Sequence, residues 1–135
     1  MSERRPAVLA LVVWTLLVWT TRIGNIWGDD GLDAADKVGR TALALSFTVL
    51  AAAVAAGMWR RAPWTRAAVR ALAGWTTAVW VVRAVGIATG DHSAAFVVVH
   101  LVLTAVSIGL AALAALAVRG VAGRPSGFPM ASSRR

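Results

Sequence analysis

Four apolar runs, at about residues 7–26, 38–59, 67–87 and 94–118, dominate the chain, and only short polar connectors separate them. Each run is about the 20 residues that an α-helix needs to cross the hydrocarbon of a bilayer. Lipid offers backbone N–H and C=O groups no hydrogen-bond partner, so such runs must satisfy their own polar groups as helices. The pattern therefore predicts an all-α membrane protein, a four-transmembrane-helix bundle occupying residues 1–119. Gly120 to Arg135, with its prolines, glycines and serines, reads as a disordered cytoplasmic tail.

Composition supports this reading. Of 135 residues 59% are hydrophobic and only 15% charged, against about a quarter charged in ordinary soluble domains. Most of the charges sit between the apolar runs. A net charge of +8 would suggest nucleic acid in a soluble protein. No basic helix or aromatic–basic platform exists outside the spans, so nucleic acid is not an expected partner. Arginines flanking apolar runs fit anionic headgroups, making membrane lipids the expected contact. There are no cysteines, which removes thiolate chemistry and disulfides. The first run, behind Arg4 and Arg5, is too long for a signal-peptide core and is not followed by a small-residue cleavage site, so it reads as an uncleaved span. An Ala- and Arg-rich chain with a single lysine points to a bacterial source and hence to a cell-membrane location.

The connectors set the orientation. Arg4 and Arg5 precede the first span, Arg60, Arg61, Arg66 and Arg70 surround the second connector, and Arg119, Arg124, Arg134 and Arg135 follow the fourth span. These three regions share one side of a four-span protein, and Asp29, Asp30, Asp33, Asp36 and Asp91 occupy the other. The positive-inside rule then places both termini in the cytoplasm. Asp33 reads as the N-cap of the second helix with Asp36 at its third position, and Thr65 as a cap for the third helix. Trp27, Trp59 and Trp64 fall at predicted interfaces, where indoles anchor.

The two halves match when the chain is slid by 61 residues without gaps. Trp14-Thr15 meets Trp75-Thr76, Val18-Trp19 meets Val79-Trp80, Arg22 meets Arg83, Ile26 meets Ile87, Asp30 meets Asp91 and Ser46 meets Ser107. Two tryptophans and an arginine in one register carry the weight, since alanine matches mean little here. The expected architecture is two tandem helical hairpins related by a parallel pseudo-twofold axis along the membrane normal.

Few residues carry chemistry. Arg22 and Arg83 lie inside their spans, where an arginine must snorkel or pair. Trp19 and Trp80, three residues earlier, are placed to stack on the two guanidiniums. Asn25 lies one turn beyond Arg22. His100 is an ionisable group well inside the fourth span, on one stripe with Thr104 and Ser107. We expect Arg22, Arg83, Asp91 and His100 to form one polar cluster in the outer half of the membrane, with Asn25, Trp19 and Trp80 beside it and the arginines paired to Asp30 and Asp91. The acid turn lacks the closing glutamate of a calcium loop, so no metal site is expected, and no cofactor. Nucleophile elbow, Walker loop, HExxH and Rossmann fingerprint are all missing.

These features point to a non-enzymatic membrane protein, either a subunit of a larger complex or a lipid- or small-molecule-binding accessory protein. The small-residue spacings Ala42/Ser46, Ala53/Gly57 and Ser107/Ala111/Ala115 fit a tight bundle or a homo-oligomer. The alternative is a small oligomeric transporter or channel whose arginines and His100 form an anion or headgroup site. A membrane enzyme is a more distant alternative, requiring His100 and Asp91 to cooperate without an evident nucleophile.

Overall fold

The computed structural model describes residues 5–119, so the tail expected beyond Gly120 lies outside the described residues. The described chain is all helical: α1 Arg5–Trp27, α2 Ala34–Arg60, α3 Thr65–Thr89 and α4 Ala94–Arg119. The shortest has 23 residues and the longest 27, which at about 1.5 Å per residue is roughly 35–40 Å. Each is long and apolar enough to cross a membrane, and together they fit a small multi-pass integral membrane protein. Each expected span lies within its helix.

Local chemistry explains the boundaries. Asp33 caps α2, its carboxylate accepting from the Asp36 N–H at 2.8 Å, and Asp36 sits in the first turn, where the helix dipole favours an acid. Ser93 acts in the same way for α4, accepting from the Phe96 N–H at 3.3 Å. Thr65 does not cap α3. It is already the first helical residue, and its hydroxyl donates to the Ala62 carbonyl at 2.6 Å. At the end of α2, Arg61 adopts a left-handed conformation (φ 52°, ψ 37°), and the Ala62 N–H reaches the Gly57 carbonyl at 2.9 Å.

Around the bundle the helices follow chain order. α1 packs on α2, α2 on α3, α3 on α4 and α4 on α1, leaving α1 and α3 on one diagonal. The hairpin contacts α1–α2 and α3–α4 are more extensive than the α1–α4 and α2–α3 seams. Val8, Leu11, Val12, Thr15, Trp19 and Ile26 of α1 are buried. In α3 the buried set is Val69, Leu72, Ala73, Thr76, Trp80 and Ile87, each 61 positions further on. α2 and α4 behave differently. Ala44, Phe47, Ala51 and Val54 are buried in α2, and Thr104, Ser107, Ala111 and Ala114 in α4, a spacing of 60. The ungapped 61-residue register therefore does not hold for burial throughout. The connector before α2 spans residues 28–33 and that before α4 spans 90–93, which shifts the register of the helices that follow.

Lipid chains are as apolar as leucine, so close packing rather than water exclusion holds such a bundle together. α1 and α3 supply large groups, Leu11, Leu72, Trp19 and Trp80, while α2 and α4 supply mostly small ones. Of the small-residue positions singled out above, Gly57, Ser107 and Ala111 are buried, Ser46, Ala53 and Ala115 are half-buried, and Ala42 is exposed. At the centre, the indole of Trp19 stacks on Phe47 (4.0 Å between ring centroids, 9° between planes) and lies 6.5 Å from Trp80 across the diagonal.

Candidate functional site

The bundle has an acidic end, carrying the α1–α2 and α3–α4 connectors, and a basic end, carrying Arg60, Arg61 and Arg66. Two tryptophans tie the seams near mid-height. The Trp14 indole N–H of α1 donates to the Ser107 hydroxyl of α4 at 2.9 Å. The Trp75 indole N–H of α3 donates to the Ser46 hydroxyl of α2, also at 2.9 Å. A serine that passes its own proton on can accept an indole N–H at no net loss, and Ser46 donates to the Leu43 carbonyl at 2.7 Å.

Above the Trp14–Ser107 bond, toward the acidic end, the α1–α4 seam opens into a cleft of about 390 Å³. That is within the range of small-molecule sites. α1 supplies most of the wall, from Trp14 through Leu17 and Thr21 to Arg22 and Asn25. α3 closes the back with Trp80 and Arg83, and α4 faces them with His100 and Leu103. The structure thus brings Arg22, Arg83, His100, Asn25, Trp19 and Trp80 to one cleft. Asp91 is not part of it. It is exposed in the connector before α4.

The two arginines are held differently. The Arg83 guanidinium carbon lies 5.8 Å from the centroid of the Trp80 ring, a cation–π contact one turn along the helix. Its Nε is buried and has no hydrogen-bond partner. Arg22 makes no such contact with Trp19, one face of which is covered by Phe47. The expected pairing of Arg22 and Arg83 with Asp30 and Asp91 does not form. Among the described residues the one ion pair joins Arg40 to Asp36 at 3.8 Å, one turn apart on α2. The two cleft arginines therefore face the cavity without a carboxylate beside them.

His100 is fixed by its own helix. Its Nδ1 is 2.8 Å from the Phe96 carbonyl oxygen. A carbonyl only accepts, so Nδ1 carries the hydrogen, and in the neutral ring Nε2 keeps a free lone pair. The ring also stacks against Phe96, with centroids 3.9 Å apart. Thr104 bonds the His100 backbone carbonyl at 2.8 Å rather than the imidazole. Among the described residues no three His, Asp or Glu side chains gather as a metal ion would require.

Sequence reasoning missed Trp14, Leu17, Val18, Thr21 and Leu103, which line the same cleft. Trp14 was legible as half of the Trp14/Trp75 match, but its bond to Ser107 depends on which helices are neighbours. No family model, curated protein or solved structure matches the chain.

Proposed function

We propose that this protein is a non-enzymatic lipid-binding accessory protein or subunit of the cell membrane, and that its cleft holds an amphiphile with an anionic headgroup. One observation carries the reading: two half-buried arginines from different helices face one cleft with no carboxylate to neutralise them. Guanidinium groups in a low-dielectric site are costly unless paired, so a bound anion is the economical partner. The rest of the lining suits an alkyl chain. Leu17, Val18 and Leu103 flank the seam.

The basic end, with Arg60, Arg61, Arg66 and Arg70, belongs in the cytoplasm by the positive-inside rule, together with both termini. The cleft then lies in the outer half of the bilayer. We also infer that the fold arose by tandem duplication of a helical hairpin, giving a parallel pseudo-twofold. The shared 61-residue spacing of burial in α1 and α3 supports this, as do the paired Trp–Ser bonds. The 60-residue spacing in α2 and α4 requires a shorter second connector. A transporter would need a path through the bundle, whereas the cleft ends at the Trp14–Ser107 bond. That favours binding over conduction.

The test is native mass spectrometry of the full chain released from mild detergent. Wild type should retain anionic lipid, and Arg22→Gln with Arg83→Gln should lose it while keeping the same helical content. Wild type that carries no more anionic than zwitterionic lipid would overturn the reading. A protein retained in place of lipid, at fixed stoichiometry, would favour the subunit role.

A further inference from the structure

We infer that the headgroup is a phosphomonoester dianion, not the monoanionic phosphodiester of ordinary anionic phospholipids. This rests on the reading of the cleft as an anion site and goes one step further, to the charge and protonation of the ligand.

Charge balance points to the class. Arg22 and Arg83 bring two positive charges to the cleft, and no carboxylate stands beside either among the described residues. Arg40, on α2 outside the cleft lining, has Asp36 beside it. The surplus at the cleft is therefore two charges. A phosphodiester carries one negative charge and would leave one guanidinium uncompensated. A phosphomonoester carries about −1.5 to −2 at neutral pH and matches both. Its three terminal oxygens also suit two guanidiniums arriving from separate helices, because each fork can take its own pair of acceptors.

His100 adds a polar edge to the same cleft. With Nδ1–H committed to the Phe96 carbonyl at 2.8 Å, the Nε2 edge is the one left to a ligand.

The buried Nε of Arg83, without a partner, fits the same picture. The guanidinium is held from behind by the Trp80 ring, which supplies attraction but no acceptor. Among the described residues no protein group accepts from Nε.

The experiment uses the full chain in nanodiscs of phosphatidylcholine, doped with either dioleoyl phosphatidate or dioleoyl phosphatidylglycerol, with lipid occupancy read by native mass spectrometry. Phosphatidate should be preferred by about tenfold or more, equivalent to about 1.4 kcal/mol. Arg83→Gln and Arg22→Gln should each bring phosphatidate down to the level of phosphatidylglycerol. Arg22→Lys keeps the charge and should keep the preference, so it separates charge matching from a folding defect. Arg40→Gln, whose charge is already answered by Asp36, should leave the ratio nearly unchanged. Equal retention of the two anionic lipids, both above phosphatidylcholine, would overturn the dianion proposal and leave the anion site standing. Retention of neither would overturn the anion site itself. Loss of the preference in Arg40→Gln as complete as in Arg83→Gln would also overturn the proposal, because a diffuse field and not a matched pair would then be responsible. Displacement of phosphatidate by millimolar inorganic phosphate supports the headgroup class with a free phosphate as the source, and resistance to it supports the class with a lipid as the source.

Discussion

The α1–α4 seam and the α2–α3 seam start from similar parts and end differently. Each pairs a tryptophan with a serine at 2.9 Å, Trp14 with Ser107 and Trp75 with Ser46. Each tryptophan has an arginine two turns further along its helix, Arg22 on α1 and Arg83 on α3, and both arginines line the α1–α4 cleft. The α2–α3 seam is filled by Phe47, which is fully buried, stacks on Trp19 and lies 6.0 Å from Trp75. The position in α4 that matches Phe47 in burial is Ser107. A serine fills far less space than a phenylalanine, and beside it the α1–α4 seam opens into the cleft. The wall differs too. Leu17, Thr21 and Asn25 line the cleft on α1, and the residues 61 positions on are Ala78, Val82 and Gly86. One seam packs closed, and the other opens into a cleft.

The largest effect should come from removing the plug. Phe47→Ala deletes a ring that stacks on Trp19 and lies 6.0 Å from Trp75 and should cost about 3–5 kcal/mol, toward the lower end because lipid rather than water is the reference. Reversible unfolding in mixed micelles measures it. The reciprocal Ser107→Phe should fill the α1–α4 seam, displace the Trp14 indole from its partner and abolish lipid retention, at an overpacking cost of about 1–3 kcal/mol. If Ser107→Phe keeps full lipid binding, the difference between the seams does not lie in this residue.

The closed seam is also tight at its basic end. Gly57 is buried where α2 meets the second connector. A Cβ there would come within 2.7 Å of the Thr65 hydroxyl and 2.9 Å of the Trp64 ring. Gly57→Ala should therefore destabilise by about 1–3 kcal/mol through forced displacement of α3, with little change in lipid occupancy. A neutral Gly57→Ala would mean that the connector shifts freely, and the tight α2–α3 joint would lose its support.

The extent to which the sequence disclosed this arrangement follows from the range of each interaction. The four helices were legible because bilayer thickness acts on contiguous residues, and the Asp33 cap because its partner is three residues away. Arg22, Arg83 and His100 were legible as candidates because polar groups inside an apolar run are rare. The mutual placement of these groups was not legible. The arginine–aspartate pairing failed because Asp30 and Asp91 lie on exposed connectors, where water solvates them, while the arginines point into the bundle. Thr65 looked like a cap by residue type, yet the helix starts with it, and only the backbone path of the connector decides that. The register of α2 against α4 slipped by one residue because connector length, invisible to an ungapped comparison, sets the rotation of the helix that follows.

The smallest effects separate the two seams most finely. The Trp14–Ser107 bond is partly buried, and Ser107 is almost inaccessible at 1%. The Trp75–Ser46 bond is exposed at the indole, with Trp75 at 40%. Interhelical hydrogen bonds in membrane bundles are worth about 0.6 kcal/mol on average, and removing one partner costs more where the orphaned donor cannot find another acceptor. Ser107→Ala should therefore cost about 1 kcal/mol and Ser46→Ala about half of that or less. A Trp14→Phe/Ser107→Ala double-mutant cycle measures the coupling without the packing change common to the single variants. In addition, Ser107→Ala should loosen the floor of the cleft and weaken lipid retention, whereas Ser46→Ala should not, because its bond closes the seam that Phe47 already fills. Equal costs, or a lipid effect from Ser46→Ala, would show that the two bonds are interchangeable ties and that the asymmetry of the bundle resides in Phe47 alone.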